Sequence, residues 1–328
     1  MKIRFLGTSS GAPTLSRNVS GLAVGRRNSK AWYLVDCGDG TQRQILRAEV
    51  TLAQLQAVFI THVHGDHCYG LPGLLASASL AGRTRPLTLV GPRAVARLIE
   101  AASEFTGLHL AFEVVFLAVD ESPLGVTLWQ DEGVSVEARA LSHRVPSFAY
   151  AFREALPRSG LDEGALQSLG VPRGPLWGDL LHGQAVTLPC GELIRPEQVL
   201  MRPARQRCIV VAGDNDRPDL LAGFGPVDAW VHEATYTEDV LAKVGPGSQH
   251  STAARVADAA RMSAVPHVVL THFSPRYRDD PSQPRSLADV QAEARSRYQG
   301  ALFMAHDGDS FELDAQGVLT QARHGWAR

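Results

Sequence analysis

The chain of 328 residues has little lysine, and this scarcity limits how it can contact phosphate. Its three lysines are Lys2, Lys30 and Lys243, so phosphate contacts must come mainly from arginine. The net charge is −2, which argues against a protein that coats nucleic acid through its overall field. A local basic patch is compatible with this balance.

Long apolar runs are also absent. No stretch approaches the roughly 20 apolar residues that span a bilayer. The apolar start of the chain is too short for the hydrophobic region of a secretion signal, because Gly7 and Ser9 follow at once. We therefore expect a cytoplasmic protein without a membrane partner.

Cysteine is rare as well, and its spacing excludes a common type of zinc site. The four residues are Cys37, Cys68, Cys190 and Cys208, with no C-x-x-C pair among them. In a cytosolic chain this predicts reduced thiols. Cys68 follows His67 directly and is a possible soft metal ligand, but the role of a small buried apolar side chain is favoured.

What the sequence does contain is an α/β pattern, because short β-branched segments alternate with Ala/Leu-rich segments of helical period. The predicted strands are Lys2–Leu6, Ala31–Val35, Ala57–Ile60, Leu87–Val90, Ser135–Leu141, Cys208–Ala212, Ala229–Val231 and His267–Leu270. The predicted helices are Ala94–Phe105, Thr252–Met262 and Ser286–Tyr298. The length favours one domain over residues 1–328, since it is short for two full domains.

One segment, at about residues 153–205, interrupts this pattern. It has little periodicity, and glycine and proline are frequent, as in Gly170–Gly183. A segment of this length inside a domain is usually functional. We interpret it as an insertion that projects from the core, and a disordered surface loop is the alternative.

The strongest chemical signal is the string Thr61–His67, which follows the predicted strand Ala57–Ile60. It contains His62, His64, Asp66 and His67, and imidazole nitrogen and carboxylate oxygen are ligands that zinc accepts. Four ligands are too many for one metal that keeps an open catalytic position. The spacing therefore predicts two adjacent metals.

Three more ligand-type residues lie two positions after the ends of other predicted strands. They are His143 after Ser135–Leu141, Asp214 after Cys208–Ala212, and His272 after His267–Leu270. Strand ends that converge on one edge are a usual way for α/β sheets to build active sites. A single histidine after a strand would be weak evidence, but three such positions support the main cluster.

Further sequence blocks extend over nearly the whole chain. They are Gly7–Thr14, Arg17–Ser20, Asp36–Gln42, Thr61–His67, Gly70–Leu75, His143–Ser147, Gly174–Gly178, Gly213–Asp214, His232–Thr235, His250–Thr252 and Leu270–Ser274. Together they resemble the ribonuclease Z family of tRNA 3′-processing endonucleases, within the metallo-β-lactamase superfamily. The string His-x-His-x-Asp-His marks only the superfamily, whereas the Gly-Pro block at Gly174–Gly178, His232–Thr235 and His250–Thr252 indicate ribonuclease Z in particular.

This resemblance implies an αββα sandwich of two mixed sheets flanked by helices, with a protruding flexible arm. It also implies two Zn²⁺ ions per subunit, with Mn²⁺ or Fe²⁺ as alternatives. The implied ligands of one ion are His62, His64 and His143. Those of the other are Asp66, His67 and His272, and Asp214 bridges the two.

The implied catalytic groups are Asp66, His250 and Glu233. Asp66 orients or deprotonates the nucleophile, and His250 donates a proton to the leaving 3′ oxygen. Glu233 orients His250 or shares its proton; a surface carboxylate is the alternative. Ser251 is the predicted N-cap of the following helix. The remaining histidines are interpreted as structural or exposed: His109, His182, His232, His267, His306 and His324.

The implied substrate is precursor tRNA, gripped by the arm, and the implied assembly is a homodimer. The arm departs from the lysine-rich tip usual in the family, since residues 158–183 carry a net charge of −1 from Arg158, Arg173, Asp162, Glu163 and Asp179. We expect weaker tRNA binding or reliance on Trp177 and backbone amides. Other departures are Asp39, where glutamate is usual, and a longer loop at Asn215–Pro218. Candidate RNA contacts elsewhere are Arg26, Arg27, Lys30, Arg276 and Arg278.

The function implied is removal of the 3′ trailer of precursor tRNA. The alternative is a broader RNA exonuclease or small-substrate phosphodiesterase with the same dinuclear site, motivated by the charge of the arm. A non-catalytic RNA-binding protein is disfavoured because all seven ligands are present. Thiolester and β-lactam hydrolysis rank below the nuclease functions, because they would not need the arm.

Overall fold

The protein is described by a computed structural model over residues 1–154, 160–200 and 206–326. Its strands are β1 (Lys2–Gly7), β2 (Gly21–Gly25), β3 (Trp32–Val35), β4 (Leu55–Phe59), β5 (Leu87–Gly91), β6 (Val114–Ala118), β7 (Thr127–Gln130), β8 (Val134–Leu141), β9 (Ser147–Glu154), β10 (Val186–Thr187), β11 (Leu193–Ile194), β12 (Cys208–Ala212), β13 (Ala229–Glu233), β14 (His267–Thr271), β15 (Ala301–Met304), β16 (Ser310–Leu313) and β17 (Leu319–Arg323). Its α-helices are α1 (Thr41–Ile45), α2 (Gly65–Cys68), α3 (Leu71–Leu80), α4 (Arg93–Thr106), α5 (Glu163–Ser168), α6 (Pro175–Leu181), α7 (Pro196–Val199), α8 (Glu238–Val244), α9 (Ala253–Met262) and α10 (Leu287–Arg295). Each predicted strand and helix corresponds to one of these elements. In the described ranges, no helix is long and apolar enough to cross a membrane.

The chain divides into two units, and the first consists of Met1–Arg153 and Arg207–Arg328. Its strands form two mixed sheets, in the orders β17-β16-β1-β2-β3-β4-β5-β6 and β15-β14-β13-β12-β9-β8-β7. Strands β3 to β6 are parallel, and so are β12 to β15.

Alternation along β4 shows how the layers pack, because successive strand residues face opposite sides of a sheet. Phe59 packs between the sheets against Phe152 of β9, with ring centroids 5.2 Å apart and an edge-to-face angle of 79°. Val58 points to the other side and joins a cluster with Leu74 of α3 and Val95 of α4. Each such buried side chain contributes on the order of 1.5–3 kcal/mol.

The second sheet has the same two-sided arrangement. Val210 of β12 and Val268 of β14 pack with Val256 of α9 and Val290 of α10 on its outer face. The layer order is thus helix, sheet, sheet, helix, and the predicted αββα sandwich is confirmed. His62 lies after the end of β4 in the first sheet, and Asp214 and His272 lie after the ends of β12 and β14 in the second.

The second unit, Glu154–Gln206, has its own small core. This core consists of Leu166, Val171, Leu180, Val186, Leu188, Ile194 and Val199. It is built from α5, α6, α7 and the antiparallel pair β10–β11. The alternative of a disordered loop is therefore wrong for residues 160–200, which fold around these side chains.

Candidate metal centre

The first group of candidate ligands comes from the loops after β4 and β8. His62 Nε2 and His143 Nε2 each lie 3.1 Å from His64 Nδ1. Both Nε2 atoms also approach Asp214 Oδ2, at 3.5 and 3.7 Å. Four ligand atoms of suitable type thus surround one point.

The second group lies beside the first and uses α2 and the loop after β14. His67 Nε2 is 3.1 Å from His272 Nε2, and the two lie 3.5 and 3.3 Å from Asp66 Oδ2. Asp214 Oδ1 is 3.4 Å from His67 Nε2 and 3.5 Å from His272 Nε2. The two oxygens of Asp214 therefore face different groups, as a bridging carboxylate would. All seven predicted ligands come together in this way.

Hydrogen bonds on the outer side of the imidazoles leave the inner nitrogen free to bind a metal. His143 Nδ1 donates to the backbone oxygen of Gln249 at 2.9 Å, and His62 Nδ1 lies 3.0 Å from Thr61 Oγ1. His272 Nδ1 lies 3.1 Å from Thr235 Oγ1. Such outer partners fix the tautomer and the ring orientation of metal-binding histidines. The donor set therefore fits divalent ions that accept nitrogen and oxygen ligands.

The pKa shifts agree with a site for cations. Burial, together with the adjacent His62 and His143, lowers the pKa of His64 to about 4, so this imidazole is neutral. Burial alone would lower the pKa of His67, but the carboxylates of Asp214 and Asp36 outweigh it and hold that pKa well above its usual value. The surroundings of His67 therefore favour a positive charge, which a divalent ion also supplies.

Asp36 is a supporting residue that the sequence analysis did not assign. It accepts hydrogen bonds from the Thr61 backbone N–H at 2.8 Å and from His67 Nδ1 at 2.7 Å. Asp36 follows β3 directly, which is the same strand-end position that drew attention to Asp214 and His272. The signal was present in the sequence and could have identified it.

We expect Asp36→Asn to lower metal affinity and cleavage rate by about 10–100-fold, the usual cost of losing an outer partner of a metal ligand. Asparagine tolerates the left-handed backbone of this residue, with φ of 59°, so the change removes the negative charge with little strain. Metal titration and cleavage assays measure both effects. Asp39→Asn is the matched control, because Asp39 lies exposed on the same loop. Equal losses in both variants would contradict the assignment.

His250 and Glu233 form a buried pair at the edge of the ligand groups. His250 Nδ1 lies 3.0 Å from Glu233 Oε2 and 3.7 Å from Asp214 Oδ2. Burial opposes the shift, but the Glu233 carboxylate raises the pKa of His250 to about 9. Glu233 is only 1% exposed, so the alternative of a surface carboxylate is wrong. This arrangement keeps a proton on His250 and turns its Nε2 away from Glu233.

The predicted N-cap of the following helix is also wrong by one residue. Thr252, not Ser251, caps α9, because Thr252 Oγ1 accepts from the Arg255 backbone N–H at 3.2 Å. The Ser251 hydroxyl instead donates to the backbone oxygen of Asn215. That bond ties the segment after His250 to the loop that follows Asp214.

The longer loop at Asn215–Pro218 leaves Asp214 in the ligand groups. The Asn215 backbone N–H donates to Glu233 Oε1 at 2.7 Å, and Asn215 Oδ1 accepts from the Ser142 N–H at 3.2 Å. Cys68 is not directed at the ligands, since its thiol contacts the His64 backbone oxygen at 3.3 Å. Burial raises the pKa of that thiol to about 12, so it is protonated and not a thiolate ligand.

The residues predicted to contact RNA lie at two separate places on the first unit. Arg276 is exposed and lies in the loop after His272. Arg26, Arg27 and Lys30 instead line a cavity of about 160 Å³ with Lys2 and Arg4. Because Lys2 pairs with Gly25 and Gly7 with Gly21, this cavity lies at the end of β1 and β2 remote from the metal ligands.

Comparisons with known proteins place this geometry in a family. A sequence-family model described as Anti-Pycsar protein Apyc1 matches residues 1–103. Ribonuclease Z of Marinobacter nauticus is 44% identical over 325 residues, which cover 99% of this chain and 100% of the relative. Ribonuclease Z of Pseudomonas putida is 46% identical over 321 residues, which cover 97% and 99%.

Solved structures support the same fold. Human tRNase Z, short form, has a TM-score of 0.64 at 24% identity and covers 96% of this chain and 100% of its own. The metallo-β-lactamase fold protein YhfI from Bacillus subtilis has a TM-score of 0.61 at 17% identity, with coverage of 94% and 98%. Given the two ligand groups and the full-length relatives, the chain belongs to the ribonuclease Z family and is a metal-dependent nuclease of the metallo-β-lactamase fold.

Proposed function

We propose that this protein removes the 3′ trailer of precursor tRNA by hydrolysis and leaves a 3′-hydroxyl on the tRNA. The observation that carries the proposal is Asp214, whose two oxygens each face a separate group of metal-type ligands in a chain of the ribonuclease Z family. Cleavage of a labelled precursor tRNA with a 3′ trailer, by enzyme loaded with zinc or manganese, tests it. A precursor that stays intact would refute it.

Two zinc ions per subunit fit the two groups, and manganese or iron fits the same donor types. His62, His64 and His143 would hold one ion, and Asp66, His67 and His272 the other, with Asp214 shared. Such a pair of ions lowers the pKa of bound water and neutralises charge on the phosphate. Asp66 Oδ2 is itself fixed by the Gly11 backbone N–H at 2.7 Å, which positions this carboxylate to orient the attacking water.

The leaving group is the 3′ oxygen of the last retained nucleotide, which needs a proton when its bond to phosphorus breaks. His250 Nε2 would donate that proton, because Nδ1 is occupied by Glu233. Glu233 is then a positioning residue that holds the ring and favours its charged form. Arg276 beside the site would contact the scissile phosphate.

The second unit is proposed to be the tRNA-binding arm, even though its charge is unfavourable. Residues 160–200 carry two arginines and five acidic side chains, a net charge of −3, and Arg158 lies outside the described residues. Arg173 is paired with Glu163 at 2.6 Å, and its guanidinium lies 5.4 Å from the Trp177 ring. Trp177 also packs on the core of the unit. Binding through backbone amides is therefore favoured over stacking on Trp177.

Removal of this unit separates tRNA processing from the alternative, small-substrate phosphodiesterase activity. Arg153 pairs with Cys208 across β9 and β12, so an Asn-Gly turn can replace residues 154–207. We expect tRNA cleavage to fall at least about tenfold through lost phosphate contacts, while hydrolysis of bis-p-nitrophenyl phosphate changes little. Equal losses would mean that the unit is structural, and unchanged tRNA cleavage would exclude it as the arm.

The homodimer and the cytoplasmic location stay predictions. Light scattering on the purified full-length chain measures the first, and fractionation of the source cells measures the second.

A further inference from the structure

A second cluster of metal-type side chains lies outside the seven ligands and the catalytic pair. It consists of His306 and Asp309, in the loop between β15 and β16, and His324, which directly follows β17. From the sequence, both histidines are interpreted as structural or exposed, because they match no ligand position of the family pattern. The antiparallel pairing of β16 with β17 brings them together.

The carboxylate of Asp309 is the centre of this cluster, and it is fully buried. Its Oδ2 lies 3.4 Å from His306 Nδ1, and its Oδ1 lies 2.8 Å from His324 Nδ1. Two backbone N–H groups, of His306 at 2.9 Å and Gly325 at 2.7 Å, donate to the same carboxylate and fix its orientation. The anionic ligand is therefore held rigidly before any ion binds.

The two imidazoles have the mutual geometry of the rings at the main metal centre. The His306 and His324 ring centroids are 4.9 Å apart with an angle of 81°. The corresponding values are 4.8 Å and 83° for His62 and His64, and 4.9 Å and 81° for His64 and His143. The crossed arrangement is thus the one found in the first ligand group, whereas the His67 and His272 rings of the second group are 5.0 Å apart at 41°.

Room for additional ligands is present beside the cluster. His306 and His324 line a cavity of about 360 Å³, which is large enough for several waters. The side chain of His324 is 69% exposed and that of His306 is 39% exposed, so an ion can enter from solvent. Three protein ligands plus water complete a tetrahedral arrangement.

We propose that His306, Asp309 and His324 form a third metal site, for Zn²⁺ or another divalent ion that accepts imidazole nitrogen and carboxylate oxygen. Its role is to fasten the C-terminal segment to the loop between β15 and β16, since His324 belongs to that segment and His306 and Asp309 to the loop. Two residues after His324, the ring of Trp326 lies 4.6 Å from the Arg47 guanidinium. Asp307, which lies between His306 and Asp309 in the chain, accepts hydrogen bonds from the Thr8 hydroxyl and from the Asn18 backbone N–H, at 2.8 and 2.7 Å. The loop that carries His306 and Asp309 is thereby attached to the loop after β1 independently of any ion.

Zinc bound per chain, measured by equilibrium dialysis of the full-length protein over a range of free zinc, tests the proposal. We expect wild type to bind one more zinc ion than His324→Ala or His306→Ala at saturation. The extra ion should persist in Asp214→Ala, which damages the main centre. His109→Ala is the matched control, because His109 is an exposed histidine outside the clusters of the described residues.

Cleavage of precursor tRNA or of a small diester by His324→Ala should equal that of wild type at saturating zinc, because this residue is outside the catalytic groups. Equal zinc binding by wild type and His324→Ala at every free zinc concentration would overturn the proposal. So would an equal loss in His109→Ala, since that would indicate adventitious binding by surface imidazoles. Circular dichroism confirms that each variant is folded.

Discussion

Asp214→Ala is expected to abolish cleavage, with a loss of more than about 1,000-fold for both RNA and small diesters. The loss of an outer partner of a metal ligand already costs about 10–100-fold, and Asp214 is in direct reach of both ligand groups. The change also leaves four imidazoles, those of His62, His67, His143 and His272, without the carboxylate between them. Metal analysis should show weakened binding at both positions, in parallel with the loss of rate.

The control for this change is Asp219→Ala. Asp219 lies in the short 3₁₀ helix Pro218–Phe224 after the same loop, but it is exposed and pairs only with Arg217 among the bonds described, at 2.8 Å. Its replacement should leave rate and metal content unchanged. If Asp214→Ala retained both metals and most of the activity, the bridging assignment and the two-metal mechanism would both fail.

His250→Ala is expected to slow RNA cleavage by about 100- to 10,000-fold, the range that general acid catalysis supplies. The effect should depend on the leaving group. The 3′ oxygen of RNA needs a proton as its bond breaks, whereas p-nitrophenolate leaves without one. Hydrolysis of bis-p-nitrophenyl phosphate by the variant should therefore stay within a few-fold of wild type. The ratio of the two rates is the measurement.

Glu233→Gln provides the companion variant for the pair. It keeps the shape of the side chain but removes the negative charge that holds the pKa of His250 at about 9. If Glu233→Gln slows RNA cleavage more than hydrolysis of the p-nitrophenyl diester, but by less than His250→Ala does, Glu233 is a positioning residue. Equal losses on both substrates in His250→Ala would instead indicate that His250 supports the metal ligands, and metal analysis would show it.

The sequence predicted which candidate ligands come together because they follow one local rule, a polar residue one or two positions after the end of a strand. His143, Asp214 and His272 obey it, and so does Asp36, which was missed only because the rule was not applied to β3. Thr235 was beyond reach, since its contact with His272 depends on how two loops meet. The hydrogen bond from His143 to the backbone oxygen of Gln249 was equally beyond reach, because a backbone contact does not depend on the type of residue that makes it.

Strand β9 was not among the predicted strands, and the burial of its side chains shows why. Its residues Phe148, Tyr150 and Phe152 face the other sheet, and Ala149 and Ala151 face the outer helices. Both faces are buried, so large and small apolar residues alternate in place of apolar and polar ones. The second unit was missed for a different reason, because its helices of four to seven residues are too short to show a period.

The position of the second unit in the chain has a consequence for fragments of this enzyme. His62, His64, Asp66, His67 and His143 precede it, while Asp214 and His272 follow it. A protease that cuts within residues 160–200 would therefore yield two pieces that each carry only part of the ligand set. The pieces share a continuous ladder between β9 and β12, which holds them together after the cut. We therefore expect a chain cut at this place to keep its full ligand set, and each piece to be inactive when separated.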